Sequence, residues 1–401
     1  MKDQLKIFLL SLFITAFASN AIYAQSQSTD KQSNKFLLSG YGFTNFEKAQ
    51  DGISSFSSGF SPIILWKSGE RLFFESEFEF ELEDGGTQVG LEYAQLFYTV
   101  TDNVLFGVGK FLNPNNLFME RLHPTWINKL PNIPFGVSGH GGVPLLATTQ
   151  LGAQLKGAFP VQSTKIIYAV YVSNGPVLNV EEEADHTEGE TPLEKKNRIQ
   201  DAAPEDEGDG HDAAAPGTLN FNNFQDNNNN KAFGARIGFL PFPQLEIGIG
   251  LEIANVGTED SHLADLQSSM QVFDLSYTRD SGILKGQLDV RGQFVWLNID
   301  QSDEEPLNYK NESRSGYGQL AYRPVKIENS LLKNLEFVFR YDYLDLPELA
   351  ELNTDLNRTT YGVNYWLAPN SAVKFAFQNK TIKEHEEETE TLFITQFTLG
   401  F

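Results

Sequence analysis

The chain has 401 residues, no cysteine and a formal net charge of −23. The missing cysteines exclude disulfides, cysteine-ligated zinc and thiol catalysis, and the negative charge excludes electrostatic attraction to nucleic acid or to anionic lipid headgroups. Abundant glycine and aromatic residues, with turn residues recurring along the whole chain, are typical of many short antiparallel strands.

The N-terminus has the pattern of a secretory signal. Lys2 and Lys6 flank the start of an apolar run over residues 7–17, and small residues follow at the expected cleavage positions. The pattern predicts a signal peptide over 1–24 and a polar tether over 25–34. An uncleaved anchor is the alternative, which the shortness of the apolar run disfavours. No later segment has the roughly 20 apolar residues of a transmembrane helix, so we expect any membrane crossing to use strands.

Alternating segments fill the remainder, 35–401, and predict about sixteen strands. They lie near 35–46, 57–67, 71–83, 88–100, 103–112, 148–158, 163–173, 231–240, 244–254, 270–279, 282–296, 313–323, 334–344, 357–367, 371–380 and 390–401. The connections between these strands mostly alternate between short and long. Nothing in a soluble β-sandwich requires its loop lengths to alternate in this way. Such sorting is typical of outer-membrane barrels, whose short turns face the periplasm and whose long loops face outward. The predicted fold is therefore all-β, a transmembrane antiparallel β-barrel.

Segment 71–84, RLFFESEFEFELED, alternates most clearly. Successive strand residues point to opposite faces, so one face is apolar and the other acidic. The acidic face consists of Glu75, Glu77, Glu79, Glu81 and Glu83. Aliphatic and charged residues alternate on later strands too, which predicts an apolar exterior and a charged lumen. Further acidic lumen residues are predicted at Glu246, Glu252, Asp289, Glu336 and Asp342, and basic ones at Arg236, Lys285, Arg291, Arg340 and Arg358.

Two regions resemble a known family. Residues 335–346 read LEFVFRYDYLDL and 358–370 read RTTYGVNYWLAPN, while 91–98 and 107–114 read LEYAQLFY and GVGKFLNP. These segments are similar to phosphate-selective porins of the O and P types, as in Bacteroidota. The resemblance implies a homotrimeric channel with a loop folded into each pore. Members of that family line the pore with Arg and Lys, whereas the continuous row of charged residues on segment 71–84 is acidic. The resemblance therefore implies the fold of the family and not its phosphate specificity.

Connection 113–147 is the candidate constriction loop. Its prolines favour a fixed path, and its length and the resemblance favour a position inside the lumen. An ordinary outer loop is the alternative. Its candidate functional residues are Glu120, Arg121, His123 and Lys129.

Connection 174–230 is acidic and of low complexity, which predicts a poorly ordered extracellular loop. Weak divalent cation binding there is an alternative to plain solvation, but the spacing has no tight ligand pattern. We predict neither a metal site nor a cofactor.

The predicted lumen has its acidic row roughly opposite Lys285 and Arg291. Acid facing base would give a transverse field that favours polar solutes, and the acidic row would concentrate cations. The alternative is that these charges only solvate a wide lumen.

The sequence thus predicts a porin in a Gram-negative outer membrane, surrounded by lipid and passing small hydrophilic solutes or ions, with a preference for cations. Alternatives are a phosphate- or anion-selective porin and a non-channel adhesive or structural barrel. An enzyme is not expected, because all 6 histidines fall in predicted outer loops and no nucleophile elbow or metalloprotease motif occurs. No nucleic-acid partner is expected.

Overall fold

The computed structural model describes residues 34–50, 52–83, 86–139, 143–180, 217–222, 224, 228–259, 261–302, 307–347, 355–383 and 387–401. The predicted signal peptide, the tether up to residue 33 and most of connection 174–230 lie outside the described residues.

Sixteen antiparallel strands close into one barrel, in which β1 pairs with β18. The barrel strands are β1 (Lys35–Ala49), β2 (Ser54–Ser68), β3 (Leu72–Glu83), β4 (Gly86–Thr101), β5 (Val104–Leu112), β6 (Thr149–Val161), β7 (Thr164–Ser173), β10 (Ala232–Phe242), β11 (Leu245–Asn255), β12 (Gln267–Ser281), β13 (Gly286–Ile299), β14 (Asn311–Arg323), β15 (Leu335–Asp345), β16 (Asp355–Ala368), β17 (Ser371–Lys383) and β18 (Glu387–Gly400). A separate hairpin consists of β8 (Val177–Leu178) and β9 (Leu219–Asn220). The all-β barrel predicted from the alternation is confirmed.

Helical structure is scarce. Within the described residues there are one short α-helix, α1 (Leu117–Arg121), and a 3-10 helix at Leu332–Asn334. Among those residues no helix is long and apolar enough to cross a membrane.

The two faces of the wall differ as predicted. On β11 the side chains of Ile249, Leu251 and Ile253 are exposed on the outside, while Glu252 between them is buried inside. On β15 Phe337 and Phe339 are exposed in the same way. An apolar exterior that closes on itself leaves no unpaired strand edge and suits a lipid environment, so the barrel is a transmembrane one.

The two ends of the barrel have different connections. Most turns at one end, which we call the short-turn end, have two to four residues. The connections at the opposite, long-loop end include the two longest, between β5 and β6 and between β7 and β10. The predicted strand bounds leave long connections at 47–56 and 381–389, but both connections are short, because their flanking strands continue beyond the predicted ends.

An apolar cluster fills one side of the barrel interior. Phe118 and Leu146 of the β5–β6 connection pack with Val272 and Val295 of the wall, in a cluster that also includes Leu219 of the small hairpin. Burial of these groups stabilises the connection against the β12–β15 side. Inward side chains there are mostly buried, whereas several on β1–β4 remain half-exposed.

Candidate functional site in the barrel lumen

The acidic residues of β3 lie on the inner face of the barrel. Glu75, Glu79 and Glu81 are half-exposed and Glu77 is buried. Gln95 of β4 donates a hydrogen bond of 2.6 Å to Glu75 and fixes its carboxylate. The side chain of Glu83 lies outside the described residues.

A β-bulge in β4 adds a carboxylate that the alternation does not predict. Glu77 pairs with Tyr93 while the adjacent Phe78 pairs with Leu91, so Glu92 is the extra residue. Its charge acts on both Glu79 and His123. Strict alternation from Tyr93 would send Glu92 outward, and nothing in the sequence marks the bulge.

The loop residue His123 lies against the acidic row. Its Nε2 atom is 3.6 Å from Glu77 Oε1, which also accepts a 2.8 Å hydrogen bond from Tyr41 Oη, and its Nδ1 atom contacts the carbonyl of Met119. Burial lowers the pKa of His123, but the negative charges of Glu77 and Glu92 and the contact with the Met119 carbonyl raise that pKa above its ordinary value.

Helix α1 begins at a side-chain cap and directs its polar residues to the lumen. Asn116 accepts a 3.2 Å hydrogen bond from the Met119 amide and donates one of 2.7 Å to the carbonyl of Val137. The apolar residues Leu117 and Phe118 of the helix are buried. The cap therefore ties the start of the connection to its second half.

Half-exposed ion pairs join this helix to the walls on both sides. Glu120 lies 3.9 Å from Lys156 of β6 and 3.0 Å from Arg121, and Arg121 lies 2.9 Å from Glu246 of β11. The side chains of Arg121 and Lys156 are 35% and 28% exposed, so these bases border open lumen.

Other bases of the lumen are buried in pairs. Arg236 lies 2.9 Å from Glu246 and 2.6 Å from Asp274, and both Arg236 and Asp274 are buried. Any side chain at Gly248 would clash with this pair, which explains the glycine. Alternation on β12 puts Asp274 on the inner face, so the sequence contains a signal for this residue.

The β15–β16 wall holds the loop through a second buried group. Arg358 pairs with Asp342, which also accepts a 3.1 Å hydrogen bond from the Phe135 amide. Arg358 donates to the carbonyl of Ile133, and the fully buried Arg340 donates to the Asn132 carbonyl at 3.2 Å. These arginines therefore bind loop backbone rather than facing water.

Two lysines complete the attachment. Lys129 of the loop lies 2.7 Å from Glu336, which also accepts 3.0 Å hydrogen bonds from Asn364 and Trp366.

Lys374 of β17 is fully buried and donates hydrogen bonds to loop carbonyls. Lys374 lies inward on an alternating strand, between Val373 and Phe375, so the sequence also contained this signal.

The remaining predicted residues lie apart from the open lumen. Lys285 is in the exposed turn before β13, with a positive φ of 49°, because β13 begins at Gly286, four residues later than predicted. Arg291 pairs with Asp289 of its own strand at 2.8 Å. Glu252 is buried and accepts hydrogen bonds from Tyr171 and, at 2.8 Å, from Gln150. The bases predicted to oppose the acidic row are thus either paired or outside the lumen.

No protein-family model and no curated protein matches the chain. Solved structures do. An anion-selective porin from Comamonas acidovorans aligns with a TM-score of 0.54 at 10% identity, over 92% of this chain and 100% of that one. The outer membrane channel DcaP of Acinetobacter baumannii aligns with a TM-score of 0.53 at 11% identity, over 93% and 99%. The trimer form of OmpT, an outer membrane protein of Vibrio cholerae, aligns with a TM-score of 0.52 at 12% identity, over 92% and 100%.

At these identities the likeness is one of fold. The chain shares the barrel fold of these outer-membrane proteins over 92% to 93% of its length, and the resemblance to O and P type porins of Bacteroidota stays a prediction. Within the described residues no group of three or more His, Asp or Glu side chains is arranged to hold a metal ion.

Proposed function

We propose that the chain is an outer-membrane porin, a passive channel for small hydrophilic solutes with a preference for cations. The fold and the apolar exterior support a channel in a lipid bilayer, and the solved trimer of OmpT from Vibrio cholerae supports a homotrimer. No reaction is assigned to it.

One contrast carries the cation preference. The half-exposed acids on β3 border the open side of the lumen, while Arg236, Arg340 and Arg358 are buried in ion pairs or hydrogen-bonded to loop backbone. A narrow water-filled passage bordered by like charges concentrates ions of opposite sign. The half-exposed bases Arg121 and Lys156 both neighbour Glu120, and the half-exposed Lys67 lies towards the short-turn end, so these bases offset the acidic row only in part.

The β5–β6 connection is the proposed constriction. Its ion pairs reach Glu246 on one wall and Glu336 on another, and its His123 approaches Glu77 on a third. A segment tied to three walls narrows the lumen at the level of the acidic row and limits passage to small solutes.

The test is the reversal potential of the purified protein in planar bilayers under a KCl gradient. We expect K⁺ to be preferred over Cl⁻, and the double substitution Glu79→Gln with Glu81→Gln to reduce that preference severalfold, because both carboxylates border the lumen. Glu328→Gln together with Glu259→Gln is the matched control. It removes the same charge from an exposed turn and an outer loop, and we expect it to leave the reversal potential unchanged.

An anion-selective porin is the second candidate, favoured by the resemblance to O and P type porins and by the likeness to the Comamonas acidovorans porin. It predicts a reversal potential of opposite sign. An adhesive barrel would give no conductance.

A further inference from the structure

Four apolar side chains form a patch on the inner wall of the short-turn end. Leu37 of β1 lies opposite Leu65 of β2, which lies opposite Glu75 of β3. Residues directly opposite in antiparallel strands share a face, so the leucines point into the lumen as Glu75 does. Ile63 and Phe73 occupy the neighbouring positions of the same face, and these four residues are the inner apolar patch.

The inner apolar patch is accessible. The Leu37 side chain is 57% exposed, and the other three are half-exposed. Lumen walls of wide barrels are ordinarily polar, because they face water. A contiguous apolar surface in that position therefore suits a solute with an apolar part.

Charges of both signs flank the inner apolar patch. The Glu75 carboxylate, held by Gln95, is on one side. Lys67 is on the other, with its ammonium 5.0 Å from the centre of the Phe73 ring. Lys67 and Glu75 are a diagonal pair across β2 and β3, since Lys67 pairs with Phe73 and Leu65 pairs with Glu75. Diagonal neighbours are about 7–8 Å apart at the backbone, a span that long side chains can shorten.

We propose that this end of the lumen binds zwitterionic solutes with apolar side chains, such as short apolar peptides. The amine binds Glu75, the carboxylate binds Lys67, and the apolar side chains lie on Leu65 and Leu37. This assignment rests on the channel function proposed above and adds a solute class to it. A simple cation bound at Glu75 would be repelled by the ammonium of Lys67 and would give Lys67 no partner of opposite charge.

Single-channel recording in KCl with added dipeptides tests the assignment. We expect leucyl-leucine to interrupt the wild-type current with a residence time about tenfold longer than that of glycyl-glycine. Each methylene that the patch partly covers lengthens the residence roughly twofold, and three to four methylenes are covered in this way. Leu65→Ser should bring the two dipeptides within about twofold of each other on the same scale. Glu75→Gln and Lys67→Gln should shorten the residence of both.

Leu240→Ser is the matched control. Leu240 is half-buried on the inner face of β10, near the same end, and lies opposite Lys165 of β7. The neighbouring acid on β11, Glu246, is already paired with Arg121 and Arg236, so the loss of the Leu240 side chain should leave the residence ratio unchanged. Equal residence of the two dipeptides in the wild type would overturn this assignment while leaving a measured K⁺ preference intact. A Cl⁻ preference together with long leucyl-leucine residence would overturn the cation preference alone. A protein without conductance would overturn both.

Discussion

Replacing Lys374 with methionine is expected to loosen the inner loop without opening the barrel. The fully buried ammonium of Lys374 donates 2.7 Å and 2.9 Å hydrogen bonds to the Asn128 carbonyl and to Gln396, and also contacts the Thr125 carbonyl. Methionine fills a similar volume but donates nothing. Each buried acceptor left without a donor costs about 1–3 kcal/mol, so the two loop carbonyls, at about 2 kcal/mol each, give about 4 kcal/mol in favour of loop opening.

A local cost of that size raises the opening equilibrium of segment 125–128 roughly a thousandfold, at about 1.4 kcal/mol per factor of ten. The strand ladder of the barrel is untouched, so the heat-resistant folded band on a gel should persist. Single-channel records should show added current noise and a raised mean conductance, because the loop leaves the lumen for part of the time.

Lys380→Met on the same strand is the matched control. Lys380 pairs with Glu390 at 3.2 Å, and the two side chains are 26% and 58% exposed. Exposed pairs contribute about 0–1 kcal/mol, so its records should match the wild type. Wild-type noise in Lys374→Met would refute the role assigned to Lys374.

Two further predictions concern the same loop. The pKa of His123 is raised in the folded protein, so the stabilisation from its charged pair with Glu77 is complete below the ordinary histidine pKa and is lost as pH rises through the raised one. Current noise should therefore increase with pH across that window, and His123→Gln should abolish the dependence. If the His123→Gln variant kept the wild-type pH profile, the histidine would not be its source. Gly136 has a φ of 74°, and a Cβ there would clash with Ser315, whereas a Cβ at Gly139 meets nothing within 4 Å. Gly136→Ala should cost about 1–3 kcal/mol of loop stability, measured as noise, and Gly139→Ala should be silent. Equal noise in the two variants would contradict this placement of the loop.

The sequence predicts features that depend on local periodicity. The strands, their inward and outward faces and the row from Glu75 to Glu81 follow from alternation, because a closed barrel forces each strand to separate an apolar face from a polar one. Lys374 and Asp274 carry the same signal, so alternation applied to every strand finds them.

Other features depend on contacts between distant segments. Arg340 and Arg358 look like pore-lining bases on their strands, and only the folded loop shows that they bind the backbone at Asn132 and Ile133. Glu92 points to the acidic row because of a bulge, and Lys285 leaves the wall because the chain turns there. Alternation carries no information about any of these.

We infer that the acids of β3, and not the arginines of the opposite wall, determine which ions pass. The most direct test is the reversal potential under a KCl gradient, measured for the wild type and for Glu79→Gln with Glu81→Gln. We expect K⁺ preference in the wild type and a severalfold smaller preference in the variant. A Cl⁻ preference, or a K⁺ preference that the double substitution leaves unchanged, would contradict it.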